Sequence, residues 1–369
     1  MDYLNKMRSF VGNKEEGPRV HSLDYLRGMM AFMIMIYHYL IWVSDLYGAE
    51  TFFGRIGVYG VSIFYIISGM TLCLVYKNSL SFTSSSISSF FIRRFFRIYP
   101  LLWVSMLLTL LLDARSVYSN SHLFLSLTGL FGFVDPTKYI GLVTWSIGNE
   151  LVFYSLFPLL IILFKKNRPL FFTLTTSLVL VNFYYTFFVF DALSTLHVQW
   201  GEYVNPLNHI MLFVFGVFMG LSTLKNNAVI SNGTLKLFLL LGVIGLFFYP
   251  VSGDLIKIIQ GWERIFLVIC SCIICFTVYN VPWKLPNWVH LPLSNIGKVS
   301  YSIYLLHPIC FMLLIKLNNA GLNLKIRYLF VLYVIMAFGV SNLFYYFFER
   351  PFVGVGRRLT DRKVKVLEK

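Results

Sequence analysis

From about residue 25 to residue 348 the sequence repeats one pattern: a long apolar run, a short polar segment, and another apolar run. A helix of about 20 predominantly apolar residues crosses the hydrocarbon core of a bilayer. The pattern predicts ten such helices, at 25–43, 58–76, 96–112, 145–164, 170–190, 207–224, 236–251, 264–281, 299–315 and 328–348. A further apolar stretch at 122–134 is short, carries Gly129 and Gly132, and sits in a loop from Asp113 to Thr144, so it is read as re-entrant or interfacial. No room is left for a soluble catalytic domain. The expected fold is all-α and polytopic, with about ten transmembrane helices around a central polar cavity over residues 21–353. A cytoplasmic N-terminal segment (1–20) and a basic cytoplasmic tail (354–369) flank it.

Composition agrees with the pattern. With 57% hydrophobic and 13% charged residues and a mean hydropathy of +0.72, the chain has too little polar surface for a soluble globule. A net charge of +15 suggests nucleic acid in a soluble protein, but here the bases cluster between apolar runs, which is how orientation in a membrane is set. With both termini in the cytoplasm, 23 of the 31 Lys and Arg residues fall inside, among them Lys6, Arg8, Lys14, Arg19, Lys225 and the basic tail. Counting 122–134 as a span would throw Lys165, Lys166, Arg168 and that tail outside, so ten spans are preferred. The first apolar run holds Arg27 and His38 and has no small-residue cleavage site after it, which argues against a removed signal peptide. Cys73, Cys270, Cys272, Cys275 and Cys310 all lie in apolar runs and read as small hydrophobes rather than a disulfide framework. On a helix Cys272 and Cys275 share a side while Cys270 points away, so no metal site is expected. No internal repeat is visible, which weakens a transporter built on inverted repeats.

Ionisable groups inside spans are costly and mark function or pairing. Arg27 and His38 are eleven residues apart on the first span, almost three turns, so they share a face about 16 Å apart. Asp24, three residues before Arg27, is placed to brace its guanidinium. Arg93, Arg94 and Arg97 start the third span, with Pro100 beyond, and guanidinium forks match phosphate oxygens. Arginines there also serve as topology signals or lipid-headgroup contacts. Glu150 needs a partner or a proton within the fourth span. His307, followed by Pro308, also reads as a buried hydrogen-bonding group near a kink. Gly57, Gly60 and Gly69 on the second span read as sites of close helix approach.

Seven motifs in sequence order then carry a resemblance. They are His21-Ser-Leu-Asp-Tyr-Leu-Arg-Gly28, Ile36-Tyr-His-Tyr39, the run Gly57 to Gly69 ending Ile-Ile-Ser-Gly, Phe91-Ile-Arg-Arg-Phe-Phe-Arg-Ile-Tyr-Pro100, Thr144-Trp-Ser-Ile-Gly-Asn-Glu-Leu-Val-Phe-Tyr154, Gly297-Lys-Val-Ser-Tyr-Ser-Ile-Tyr-Leu-Leu-His-Pro308 and Glu349-Arg-Pro351. From about residue 20 to residue 353 the chain resembles the acyltransferase-3 family of bacterial membrane acyltransferases, in a form without the SGNH domain that many members carry. The resemblance maps the family's basic residue, ten positions and histidine onto Arg27 and His38, and its Arg-x-x-Arg onto Arg94 and Arg97. Its Trp and Glu fall on Trp145 and Glu150, and its late Ser-Tyr and His on Ser300, Tyr301 and His307. It implies O-acetylation of a cell-surface glycan at a bacterial inner membrane, with acetyl-CoA as donor substrate, no permanently bound cofactor, and no nucleic-acid partner.

The mechanism expected from depth rests the donor's phosphates on Arg94, Arg97 and Arg27, with Arg93 beside them. His38 takes the proton of the acceptor hydroxyl, and Glu150 orients the imidazole or the acceptor. His38 and Glu150 each lie five residues from a presumed outer boundary, so they are expected to face one another at about 7.5 Å depth. A transporter or flippase would share the spans but gives no reason for clustered arginines with a coaxial histidine.

Overall fold

The computed structural model describes residues 20–44, 48–113, 117–222 and 230–367, with side chains as far as Asp361. The bases Lys6, Arg8, Lys14, Arg19, Lys225 and Lys369 and nearly all of the 1–20 segment lie outside the described residues. Those residues form α1 (His21–Ser44), α2 (Phe52–Tyr76), α3 (Ser84–Leu112), α4 (Asn120–Thr128), α5 (Phe131–Val134), α6 (Trp145–Lys166) and α7 (Arg168–Tyr184). There follow α8 (Trp200–Tyr203), α9 (Pro206–Leu221), α10 (Asn232–Phe248), α11 (Gly261–Asn280), α12 (Asn287–Leu317), α13 (Ile326–Phe344) and α14 (Arg350–Leu367). No strand occurs among the described residues, and the protein is an all-α polytopic membrane protein.

With adjoining helical turns joined, as in Arg168–Val189, Trp200–Leu221 and Ile326–Asp361, nine helical segments among the described residues have at least 18 residues and are apolar enough to cross a membrane; the seventh expected span is the 17-residue apolar helix α10. At 1.5 Å per residue α10 is about 25 Å long, at the short end of what a bilayer accepts. The 122–134 stretch is not a span. It is two short helices broken at Gly129, whose φ of 72° is the left-handed conformation that glycine adopts without a Cβ penalty. Local chemistry sets the helix starts: Thr51, Thr83, Asn167, Asn205 and Ser231 each cap a helix by accepting a backbone N–H. Pro169 and Pro206 occupy first-turn positions where no N–H is needed. The third and ninth expected spans begin 12 residues earlier, at Ser84 and Asn287, because both helices continue beyond their apolar windows.

α2 lies at the centre: 78% of its most apolar window is buried, against 22% for the span built on α7. It packs on α1, α6, α9 and α11, while α1 also packs along α12 and α3 meets α12 and α14. Small residues make these crossings close. A Cβ on Gly69 would stand 2.2 Å from the Phe213 carbonyl oxygen, and one on Gly216 would stand 2.0 Å from that of Ile66, so α2 and α9 touch backbone to backbone. α1 and α12 do the same at Gly28 and Gly297, beside Asp24 and Arg27. At the start of α2 Arg55 is buried and donates to the carbonyls of Ala49, Leu246 and Tyr249 at 2.7, 2.9 and 2.5 Å, tying α2 to the end of α10.

Candidate functional site

One end of the bundle, the end expected from the sequence to face the cytoplasm, gathers guanidinium groups whose hydrogen-bond donors are only partly used. Arg27 pairs with Asp24 at 3.2 Å and touches Thr71 Oγ1 at 3.5 Å, yet keeps 22% of its side chain accessible. Arg94 lies 5.7 and 5.8 Å from the ring centres of Tyr76 and Tyr154, with one long contact to the Tyr76 hydroxyl at 3.4 Å, and its buried Nε has no hydrogen-bond partner among the described residues. Arg97 lies 6.0 Å from the Tyr301 ring centre and 3.3 Å from Glu349 Oε1, with 33% of its side chain accessible. Its geometry toward Glu349 is that of an ion pair without a hydrogen bond, since Glu349 Oε1 has no hydrogen-bond partner. A guanidinium offers five N–H donors in a fixed fork, and the contacts named above engage only a few of those that these three carry. Arg93 is directed elsewhere. Its Nε donates to Thr360 at 2.9 Å and its Nη2 to Asp361 at 3.1 Å, fastening α3 to α14.

The opposite half of the bundle, expected to face outward, brings two histidines together. His38 Nδ1 and His307 Nε2 are 2.9 Å apart, and His307 Nδ1 is 3.0 Å from the carbonyl oxygen of Ile303. A carbonyl only accepts, so His307 Nδ1 carries hydrogen and, with the ring neutral, its Nε2 is a bare acceptor. His38 Nδ1 must then donate. This fixes His38 as the Nδ1–H tautomer and leaves its Nε2 lone pair without a hydrogen-bond partner among the described residues, on a half-buried side chain. Trp42, one turn outward on α1, lies 13° from the plane of His38 and 15° from that of His307.

Glu150 stands at the arginine end, not beside His38. Its Oε1 accepts from Ser68 at 3.1 Å and from the Tyr154 hydroxyl. Along α2, Gly57 lies against Tyr37, next to His38, whereas Ser68 is eleven residues further in, about 16 Å. The equal-depth expectation fails because α6 does not begin at the membrane surface. Trp145 through Asn149 are buried, and α5 lies across this start with Gly132 against the backbone of Gly148. Between the two halves, the Tyr304 hydroxyl meets Ser146 Oγ at 2.6 Å and Asn149 donates to the Tyr65 hydroxyl at 3.2 Å, so polar groups line the interval.

A family model described as an acyltransferase domain (Acyl_transf_3) matches residues 20–346. The chain belongs to this family. A protein of Staphylococcus aureus (strain COL) named "Putative O-acetyltransferase" is 23% identical over 396 residues, covering 95% of this chain and 59% of that protein; one of strain MSSA476 has the same name and the same figures. The chain thus spans 59% of the length of these relatives. An uncharacterised protein of Haemophilus influenzae is 28% identical over 152 residues, covering 34% of this chain and 62% of that protein. No solved structure matches.

Set on the family's acyltransferase domain, the sequence-derived positions divide in two. Arg27, Asp24, Arg94, Arg97, Glu150 and Tyr301 lie toward one end of the bundle, and His38 and His307 toward the other. Trp145 packs in an aromatic group with Trp200, Tyr203 and His209, and Ser300 is buried with its hydroxyl on the Gly297 carbonyl at 3.0 Å. Sequence reasoning singled out no role for Ser68, Tyr154 or Glu349, although each sits in a quoted motif. The available signal was a buried-span carboxylate, Glu349, with a serine and an arginine to receive it.

Proposed function

We propose that this protein is a membrane O-acyltransferase. It takes an acyl group, acetyl being the expected one, from cytoplasmic acyl-CoA and passes it to a hydroxyl of an extracytoplasmic or lipid-linked glycan at a bacterial inner membrane. The observation that carries the reading is the His38–His307 pair, which presents a free imidazole nitrogen about 16 Å from a cluster of arginines with open donors. The donor's phosphates rest on Arg94, Arg97 and Arg27. Phosphate and reacting carbonyl are far apart in this arrangement, which suits a thioester on a long arm and does not suit an acyl phosphate, where the two are adjacent.

Chemistry follows at the outer end. The acceptor hydroxyl gives its proton to His38 Nε2 as its oxygen attacks the thioester carbonyl; the carbon–sulfur bond then breaks, and the imidazolium returns the proton to the departing thiolate. His307 holds the imidazole in its tautomer, the part expected of Glu150. Glu150 serves the donor side, where it binds Ser68 and Tyr154 beneath the arm. The test is release of free coenzyme A thiol from acetyl-CoA by membranes containing the protein, with and without added host glycan fraction. His38→Ala should abolish glycan-dependent release and leave acetyl-CoA binding in place; a variant that still acylates at the wild-type rate defeats the mechanism.

A further inference from the structure

The Glu349-Arg-Pro motif has no part in that chemistry, yet it puts a carboxylate inside the bundle at 2% exposure. The π-turn Tyr345–Glu349, at the junction of α13 and α14, widens the helix just before Pro351 and carries Glu349 to α12 and α3. There Ser302 donates to Oε2 at 2.6 Å, and Oε1 faces Arg97 Nη1 at 3.3 Å. A buried carboxylate is costly unless its charge is balanced, and Arg97 balances it. The reverse also holds. Glu349 neutralises Arg97 without consuming its N–H directions, because the contact is not a hydrogen bond. Across the cluster, Arg27 pairs with Asp24 and Arg97 with Glu349, while Arg94 and Glu150 both lie against Tyr154, so three guanidiniums and three carboxylates bring the site near charge balance before a phosphate enters it.

We propose that Glu349 is a built-in counter-anion for Arg97 that competes with the donor's phosphates, so that it limits how tightly acyl-CoA is held and lets coenzyme A leave. The inference rests on the reading of Arg94 and Arg97 as the donor anchor. Between catalytic cycles the carboxylate balances the charge of Arg97 and holds it in place; during a cycle it shares the guanidinium with phosphate, and its repulsion speeds departure of the product.

The experiment measures equilibrium binding of acetyl-CoA and of free coenzyme A to the purified full chain and to Glu349→Gln. The amide keeps the shape and the Ser302 contact and removes the charge. Both ligands should bind roughly three- to tenfold more tightly, by the same factor, because both carry the same phosphates. Structural damage would weaken binding, so tightening has a sign that damage cannot imitate. Unchanged or weakened affinity in a variant with wild-type thermal stability overturns the proposal. Should Glu349→Gln not fold, Arg97→Gln is compared with Arg97→Gln/Glu349→Gln. Removing the bare carboxylate should recover affinity at least about threefold, and no recovery overturns it. If the wild-type chain itself fails to bind acetyl-CoA, the donor reading falls first; if it binds and the variants show no gain, only the counter-anion falls.

Discussion

Substituting His307 tests the histidine pair more directly than substituting the base itself. His307 is fully buried and touches no substrate in the proposed mechanism; its one service is to accept from His38 Nδ1, so that Nε2 is the basic nitrogen. Losing that acceptor removes a net hydrogen-bond preference of about 0.5–1.5 kcal/mol, which is roughly 2- to 12-fold in the population of the useful tautomer. Imidazole orientation is lost as well. General-base catalysis as a whole contributes about 10²- to 10⁴-fold, which caps the effect. His307→Ala should therefore lower the rate of glycan-dependent thiol release by about 10- to 100-fold, less than His38→Ala, with acetyl-CoA affinity unchanged. His307→Gln offers an amide oxygen to the same N–H and should recover to within about fivefold of wild type. The assay is radiolabelled acetyl transfer from acetyl-CoA to a host glycan fraction under saturating donor, alongside a thermal melt of each variant. A His307→Ala enzyme at full rate, or a well-folded Gln variant no better than Ala, refutes the tautomer argument.

Arg94→Ala should weaken acetyl-CoA binding by about 1.5–3 kcal/mol, since it removes charge-assisted contacts, whereas Arg93→Ala should leave affinity alone and cost at most about 1 kcal/mol of stability in a melt, its partner Asp361 being 58% exposed. Cysteines placed at Lys166 and at Ser194 should label from opposite sides of the membrane, Lys166 from the cytoplasm, as should a tag after Lys369; a C-terminal tag reporting the exterior would overturn the topology. Gly132→Ala would set a Cβ 2.4 Å from the Gly148 carbonyl oxygen and should destabilise the protein by about 1–3 kcal/mol, read as a lowered melting temperature.

The spans were legible because hydrocarbon thickness demands an apolar window of similar length in every crossing helix, and close helix approach at Gly57, Gly60 and Gly69 was legible because only small residues permit it. The coaxial Arg27 and His38 followed from helical period alone. Partners were not legible in the same way. His38 meets a residue 269 positions away, and Glu349 meets Arg97 from the far end of the chain, so no local spacing reports either contact. The depth of Glu150 was misjudged because boundary counting takes a helix to begin at the membrane surface. α6 begins under α5, and its first residues are buried.

The separation of the two halves constrains what the protein can do with binding energy. In the proposed mechanism, phosphates anchored on the arginines lie too far from His38 to be touched by the reacting centre, so those contacts are equally strong before and during bond making. Such uniform binding lowers the donor concentration needed without speeding the chemical step. Rate must then come from the outer end, through the tautomer of His38 and the placement of the acceptor hydroxyl against the thioester. Substitutions should sort accordingly, with Arg94 and Glu349 moving donor and product affinity, and His38 and His307 moving turnover at saturating donor. An arginine variant that lost turnover at saturating acetyl-CoA while keeping its affinity would mean that the guanidinium reaches the transition state. That would require the acyl carbonyl to lie near the arginines, and the acceptor would then have to descend to the level of Glu150 and Ser68 rather than meet the donor beside His38.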